Sequence, residues 1–304
     1  MAQCSPSVAE PLLDGENDSY GGFIVDPSRL PDEPSLFRER LQLSISRWTS
    51  EAKKGIWLKL PTEYAVLVPI AVKEGFVYHH AEQDYLMLTL WIPDSICTLP
   101  ANASHQVGIG ALVINSENRL LVVQEVTGPT RGSDTWKMPT GVVLQGEDIQ
   151  EAAVREVKEE TGVEAEFLEV FGVRQSHGVA FGKSDLFFLC LLRPVSSDIV
   201  IQKHEIEAAQ WMPFDDYRSQ ESNTKSELLT RVANIIAAAS EGKYTGFGAK
   251  KLRLSPRSKK EAYFHHNTRD IDIYLGDGKK SNEALGDGKK SNEALGDEKK
   301  SNEA

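Results

Sequence analysis

Three glutamates near the middle of the chain have a spacing that places their carboxylates together. Glu156, Glu159 and Glu160 are at positions i, i+3 and i+4, so on a helix they share one face. Like charges at this spacing repel each other, and the dipole of a helix disfavours anions near its C-terminal end. A segment that breaks both rules is typical of a functional site. Because carboxylate oxygens are the ligands that Mg²⁺ and Mn²⁺ prefer, the pattern indicates a divalent cation site.

The residues around these glutamates extend the pattern. By themselves, the three glutamates are also compatible with a second interpretation, an acidic and solvated helix that ends at a glycine. Ala153, Val154 and Val157 supply an apolar side on which the helix docks, while Gly141 and Gly146 let the preceding loop bring its backbone close to a cation. The positions that make up the full pattern are Gly141, Glu147, Arg155, Glu156, Val157, Glu159, Glu160, Gly162 and Val163. An ordinary acidic helix does not require all of these, which favours the functional interpretation.

The charge and composition of the chain exclude several classes of function. The 304 residues contain 34 bases and 45 acids, a net charge of −11, whereas a general nucleic-acid-binding protein needs a basic face. Segment 147–160 has six acids against Arg155 and Lys158, so four of the eleven negative charges lie there. No apolar run approaches the roughly 20 residues of a membrane-spanning helix, and three widely separated cysteines favour a reducing compartment. The sequence therefore predicts a cytoplasmic protein that binds neither nucleic acid nor membrane.

The first half of the chain predicts a small α/β unit after a polar leader. Residues 1–19 are acidic, lack the features of a signal or transit peptide, and predict disorder. Residues 20–97 predict the folded unit, and residues 98–105 a linker. The first helix of the folded unit is predicted to begin at Pro34 and to end near Gly55. Its apolar face consists of Leu36, Phe37, Leu41, Ile45 and Trp48. The other predicted elements are a helix at 61–75 and strands at 56–60, 76–80 and 84–92.

Residues 106–245 predict a second unit, in which two apolar strands are joined by NSEN as a hairpin. The next elements are a strand and loop in WKMPTGVVLQG, a helix in EDIQEAAVREVKEETG, strands in FLEVFGVRQSH, DLFFLCLLRP and AAQWMP, and a closing helix in SELLTRVANIIAAAS. Residues 246–274 form a basic C-terminal segment, and its run KKLRLSPRSKK is interpreted as solvated, with a localisation signal or a patch for an anionic partner as the alternative. Residues 275–304 contain LGDGKKSNEA three times, with Glu298 replacing a glycine in the last copy. A decapeptide with one leucine cannot bury a face, so these repeats predict disorder.

The complete pattern at 141–163 resembles the Nudix box, and the strands before it lie where a Nudix domain has them. The phrases KLP, VKEGFVYHHAEQDYLML and LPANASHQVGIGA resemble the N-terminal pre-Nudix domain of the plant ADP-ribose/NADH pyrophosphatase type. Together the resemblance covers roughly residues 20–265. It implies an α+β fold in which helices sandwich a mixed β-sheet, preceded by a small α/β domain. Thr140 departs from many Nudix sequences, which have glycine before the glycine of the box.

The resemblance also implies roles for individual residues. Metal ions would be bound by Glu156, Glu159, Glu160 and the carbonyl of Gly141. Arg155 would orient the glutamates, and Glu147 and Gly162 would be structural. For the general base the candidates are Glu159 and Glu160 within the box and Glu205 outside it, with Glu207 and His204 as neighbouring options. Four residues are candidates for substrate binding, each with a structural role as the alternative: Arg174 for a phosphate, His177 for a ribose hydroxyl, and Trp136 or Phe181 for adenine stacking.

The activity implied is the hydrolysis of a nucleoside diphosphate linked to another moiety. ADP-ribose or NADH would give AMP together with ribose 5-phosphate or NMNH, and the cofactor would be Mg²⁺ or Mn²⁺. The same chemistry on coenzyme A, nucleotide sugars or diphosphoinositol phosphates stays open, as does a sensor or adaptor that binds nucleotide without turnover. The resemblance further implies a homodimer, with residues 20–97 as the region for a protein partner.

Overall fold

The computed structural model describes residues 12–128, 131–132, 134–254, 260–271 and 273. The chain forms two compact units, which divide between Ser104 and His105. Among the residues described, no helix is both long enough and apolar enough to span a membrane.

The first unit is a five-stranded sheet that packs against two helices. Its elements are β1 (Gly15–Asn17), β2 (Phe23–Val25), a 3-10 helix (Pro27–Arg29), α1 (Pro34–Ser50), β3 (Gly55–Pro61), a second 3-10 helix (Thr62–Leu67), α2 (Val68–Lys73), β4 (Val77–Ala81) and β5 (Tyr85–Trp91). The strand order is β1-β2-β3-β5-β4, and the pairs are antiparallel except for β2 with β3. Alternate residues of β3 (Ile56, Leu58 and Leu60) point into a core that they share with the helices.

The first folded unit begins before residue 20, where the sequence predicted its start, and residues 1–11 of the predicted leader lie outside the described residues. Leu13 is buried in the core of the first unit, and its backbone N–H donates to Ser44 Oγ in α1 at 2.8 Å. Strand β1 follows at once and pairs with β2. The boundary predicted at residue 19 is therefore too late, because one leucine and a three-residue strand carry too weak a periodic signal among acidic neighbours.

Replacing Leu13 by alanine tests this assignment. The Leu13→Ala variant is expected to lose about 2–5 kcal/mol of unfolding free energy, the usual cost of removing a buried leucine side chain. Urea unfolding followed by tryptophan fluorescence measures the loss. Glu16→Ala, at an exposed position of β1, is the matched control and should stay within about 0.5 kcal/mol of the parent protein. Equal stability of the two variants would contradict the placement of Leu13.

The helices of this unit differ in detail from those that the sequence predicted. Phe37, Leu41 and Trp48 of α1 are buried as expected, but Leu36 is 38% exposed because it lies about 100° around the helix from Phe37. The helix predicted at 61–75 is a 3-10 helix followed by the short α2. Proline at the second position of α2, Pro69, is tolerated only in the first turn of a helix, so α2 begins close to it.

The second unit contains the strands and helices that the sequence predicted, together with further elements. They are β6 (His105–Val113), β7 (Arg119–Glu125), β8 (Thr140–Val142), α3 (Ile149–Thr161), β9 (Ala165–Ala180), β10 (Lys183–Pro194), β11 (Ile206–Pro213), α4 (Phe214–Ser219), α5 (Glu221–Lys225), α6 (Glu227–Ser240), β12 (Gly248–Arg253) and β13 (Glu261–His266). The central sheet has the order β8-β6-β10-β9, with β6 and β10 parallel and the other pairs antiparallel.

Helices cover both faces of this sheet. Ile109, Ala111 and Val113 of β6 pack in one core with α3. Leu112 faces the other way and packs in a second core with α4 and α6. Because β6 is buried on both faces it is almost continuously apolar. The predicted mixed sheet sandwiched by helices is confirmed.

The predicted hairpin of β6 and β7 is wrong. The two strands are joined by a tight turn around Asn115, but beyond the single bridge between Ile114 and Leu120 they do not pair. Instead, β7 pairs with β11 in a separate two-stranded sheet. The reason is that β8 and β10 take the hydrogen-bonding edges of β6, so β7 must find another partner.

The basic segment after the closing helix contains two strands for which the sequence analysis made no prediction. Strands β12 and β13 form an antiparallel hairpin, and Phe247 just before it forms a bridge with Val170 of β9. The ring of His265 contacts Phe167 edge-on, with centroids 6.2 Å apart. The basic side chains Lys250, Lys251 and Arg253 of this hairpin are exposed, as the interpretation of a solvated segment expects. Residues 255–259 and the repeats at 275–304 lie outside the described residues.

Candidate catalytic site

The local sequence determines where helix α3 begins and ends. Asp148 precedes the first turn, and its N–H donates to the side chain of Glu151 at 3.4 Å. Gly162 ends the helix with φ of +72°, a left-handed conformation that favours glycine, and its N–H donates to the carbonyl of Lys158. Ala152, Ala153 and Val157 form the buried side. Glu156 and Glu160 lie on the side of the helix that faces β8.

Gly141 in β8 lies directly against the helix. A Cβ atom on Gly141 would overlap the carboxyl group of Glu156. Gly141 pairs with Ile109 of β6, so it cannot move away without breaking the sheet. Its missing side chain is thus a steric requirement of the site.

Arg155 connects the carboxylates. Its guanidinium forms two hydrogen bonds with Glu147, of 2.7 and 3.0 Å, and one each with Glu156 at 2.7 Å and Glu159 at 2.9 Å. It also donates to the carbonyl of Val142 in β8 at 3.0 Å. The bonds to Glu147 raise the pKa of Arg155 and lower the pKa of Glu147. Glu147 itself lies before the first turn of α3, where it also accepts the N–H of Leu144.

Glu160 differs from the other glutamates because it is buried. Only 4% of the residue is exposed, and its Oε2 atom has no hydrogen-bond partner. Burial raises the pKa of Glu160 to about 8; the charge of Lys137 opposes this rise and that of Glu156 adds to it. A buried carboxylate with an oxygen that lacks a partner is unfavourable in the protein alone.

Glu156 and Glu159 lie near Glu160 on the same helix, and the Glu156 side chain is more buried than that of Glu159. The Glu156 side chain is 14% exposed, and burial raises its pKa against the opposing effect of Arg155. The Glu159 side chain is 51% exposed. Within the described residues, no three His, Cys, Asp or Glu side chains are already arranged to hold a metal ion. Arg155 holds Glu156 and Glu159 in this state of the protein.

Two further charged residues belong to the site and were missed in the sequence. Glu125 at the end of β7 forms an ion pair with Lys137, and both side chains are about one quarter exposed. Lys137 reaches Glu125 through the bridge between Val123 and Lys137, which the sequence does not reveal. A weak signal existed, because the apolar run of β7 ends in the polar pair Gln124-Glu125.

A cavity of about 440 Å³ opens beside this cluster, between β9, β10 and the helices α5 and α6. Of the predicted substrate-binding residues, Trp136 and Arg174 line it. The backbone of Trp136 is held on both sides by Gln220, and its ring packs with the α4–α6 core, not beneath α3. Arg174 donates to Asp185 at 2.7 Å, and its guanidinium lies 4.6 Å from the ring centroid of Phe187.

Five other predicted residues do not line the cavity. His177 lies on the exposed part of the β9–β10 hairpin and bonds with Ser184, and Phe181 is fully exposed at its tip. The ribose contact expected of His177 and the adenine contact expected of Phe181 stay predictions, and the cavity wall does not include either residue. Glu205, like His204, is exposed in the turn before β11, while its carbonyl accepts the N–H of Val126 next to Glu125. Glu207 is an exposed residue of β11.

Models of known protein families match both structural units of the chain. A family model described as the Nudix hydrolase domain matches residues 13–92, and one described as the NUDIX domain matches residues 104–232. The two matches correspond to the two structural units. The first of them begins at Leu13, where the structure also places the start of the core.

Individual proteins are similar over most of the chain. It is 51% identical over 263 residues to Nudix hydrolase 2 of Arabidopsis thaliana, covering 86% of this chain and 93% of the relative. It is 37% identical over 239 residues to Nucleoside diphosphate-linked moiety X motif 6 of Homo sapiens, covering 76% and 74%. Among solved structures, a NUDIX hydrolase from Nitrosomonas europaea is 26% identical, with a TM-score of 0.37 over 46% of this chain and 92% of that chain.

Proposed function

The chain belongs to the Nudix hydrolase family, and from this premise we propose that it hydrolyses the diphosphate bond of ADP-ribose or NADH with the help of Mg²⁺ or Mn²⁺. The products would be AMP together with ribose 5-phosphate or NMNH. The observation that carries the proposal is the buried carboxylate of Glu160, which has an oxygen without a partner beside a second half-buried carboxylate, Glu156.

The residues of the site fit a divalent cation. Three carboxylates on one side of α3 offer hard oxygen ligands, and the unpartnered Oε2 of Glu160 is the atom that most needs one. Glu156, Glu159 and Glu160 would hold the cation, with the backbone carbonyl of Gly141 as a further ligand. Bound there, divalent cations would neutralise charge on the diphosphate and lower the pKa of a water molecule.

The protein's own groups have separate tasks in this proposal. Arg155 keeps the glutamates in position, and Glu147 holds Arg155 by a two-point ion pair. A carboxylate accepts the proton of the attacking water, and Glu159, Glu160 and Glu205 are the candidates. The cavity bounded by Trp136 and Arg174 is within the usual size range of small-molecule sites and would take part of the substrate.

A panel of diphosphates tests the proposed function. Purified protein is incubated with ADP-ribose, NADH, coenzyme A, nucleotide sugars and diphosphoinositol phosphates, each with Mg²⁺, with Mn²⁺ or with EDTA. We expect AMP release from ADP-ribose or NADH that stops in EDTA. Preferred turnover of coenzyme A, a nucleotide sugar or a diphosphoinositol phosphate would replace the proposed substrates and keep the chemistry. Nucleotide binding with no turnover of any compound would favour the sensor or adaptor function and overturn the proposal.

Assembly is a separate proposal. The homodimer and the protein partner bound through residues 20–97 stay predictions from the resemblance. The exposed residues Val77 and Tyr78 of β4, an edge strand of the first sheet, support an interface there.

A further inference from the structure

Lys137 lies between the carboxylate cluster and the cavity. Its side chain lines the cavity together with Thr140 and Arg174. Its charge also acts on Glu160, where it opposes the rise of the carboxyl pKa that burial causes. One ammonium group is thus in reach of both parts of the site. The Nudix box, which begins at Gly141, does not include this residue.

Two contacts hold the ammonium group in place. Lys137 Nζ pairs with Glu125, and it donates to Thr140 Oγ1 at 2.9 Å. A lysine ammonium has three N–H donors. The two contacts engage two of them, and the side chain remains one quarter exposed in a residue that lines the cavity.

Thr140 contacts both Lys137 and Glu160. Its hydroxyl group accepts the hydrogen bond from Lys137, which a residue without a polar side chain could not do. The backbone N–H of the same Thr140 bonds with Glu160. Thr140 therefore fixes the position of Lys137 relative to the buried carboxylate. Arg174, another half-buried cation of the cavity wall, is already held by Asp185.

We propose that Lys137 binds a phosphate oxygen of the nucleotide half of the substrate, and that Thr140 and Glu125 position its ammonium group for this contact. The proposal rests on the proposed function for the identity of the substrate. The diphosphate is anionic and the site around it holds several carboxylates, and a charge-assisted hydrogen bond from an ammonium group to a phosphate oxygen is strong. Lys137 is thus inferred to be a substrate-contacting residue, and Thr140 and Glu125 are positioning residues.

Comparing AMP with adenosine isolates the phosphate contact. Binding of each to the full chain is measured by titration calorimetry in EDTA, so that neither metal nor turnover contributes. For the Lys137→Met variant we expect AMP binding to weaken about 10- to 100-fold, the range for a hydrogen bond to a charged group. Adenosine binding should not change, because adenosine has no phosphate. Lys243→Met, which removes an ion-paired lysine that does not line the cavity, should affect neither ligand.

Variants of Thr140 test the positioning role while keeping the lysine. Thr140→Val removes the hydroxyl acceptor at nearly constant volume and is expected to weaken AMP binding about 3- to 10-fold, while Thr140→Ser restores it. If Lys137 contacts the phosphate equally in the bound substrate and in the transition state, Lys137→Met should raise KM more than it lowers kcat in turnover assays. This split would not follow from a merely structural role.

Several outcomes would overturn the proposal. One is equal weakening of AMP and adenosine binding by Lys137→Met, which would indicate a damaged cavity. Another is unchanged AMP binding in both Lys137→Met and Thr140→Val, and a third is parent protein that binds neither ligand. Failure of the proposed function is seen separately, as a lack of metal-dependent turnover by the parent protein.

Discussion

The Glu160→Gln variant is expected to lose about 100- to 1,000-fold in kcat for ADP-ribose and, without metal, to be more stable than the parent protein. The loss of activity follows because an amide lacks the negative charge that a divalent cation requires. The gain in stability follows because the parent protein buries a carboxylate with an unpartnered oxygen. Opposite effects on activity and stability are the mark of a residue kept for function.

The gain in stability should depend on pH in a defined direction. Burial raises the pKa of Glu160 from 4.5 to about 8 in the folded protein. Between these values the native state holds a proton that the unfolded state has lost, so the free energy of unfolding falls as pH rises. Glutamine does not ionise. The two proteins should thus have similar stability below about pH 4 and differ by roughly 3–5 kcal/mol above pH 8, in favour of the variant.

Urea unfolding in EDTA at pH 4, 6 and 9, together with initial rates in Mg²⁺, measures both effects. Glu151→Gln is the matched control, because Glu151 is an exposed glutamate of the same helix. It should keep kcat within about threefold and show no comparable pH-dependent gain. Full activity of Glu160→Gln would show that this carboxylate has no part in the reaction, and a stability difference that is constant with pH would contradict its burial.

The Gly141→Ala variant should lose at least about 100-fold in kcat although only one methyl group is added. The new Cβ atom would overlap the carboxyl group of Glu156, while the backbone of β8 is held by its pairing with β6. Either Glu156 leaves its place beside Arg155 or β8 shifts, and small displacements of catalytic groups reduce rates by about this factor. Circular dichroism checks that the fold is retained, and initial rates with ADP-ribose measure the loss.

A double-mutant cycle shows whether the overlap with Glu156 is the cause. The quantity compared is the free energy of unfolding. In a Glu156→Ala background the added methyl group has room, so Gly141→Ala should lower this free energy little further. The effects of the two substitutions on it should therefore not add. Val142→Ala, at an exposed position of the same strand, is the control and should leave turnover nearly unchanged. Additive effects of Gly141→Ala and Glu156→Ala would exclude the steric explanation.

Much of the candidate site is local in the chain and was therefore predictable. Glu156, Glu159 and Glu160 lie within five residues on one helix, and helix geometry places them on one side without reference to the rest of the fold. Gly162 ends that helix by its own backbone conformation. The alternation between strands and helices in 106–245 likewise follows from apolar periodicity.

Other features depend on pairing between distant segments. The separation of β6 and β7 into two sheets follows from competition for the edges of β6. The exposed positions of His177 and Phe181 follow from the length of the β9–β10 hairpin. Periodicity describes which face of a strand is buried and does not determine its neighbours or its exposed ends.

The sequence by itself thus determined which carboxylates stand together, and tertiary structure alone decided how each of them behaves. Glu159 and Glu160 are adjacent and chemically identical, yet one is half exposed and the other is buried with a pKa of about 8. The difference arises from what packs around each position, including Thr140 and Lys137 near Glu160. Burial and the electric field of neighbouring groups are properties of the assembled fold, and they determine the ionisation of a carboxylate more strongly than its place in the chain.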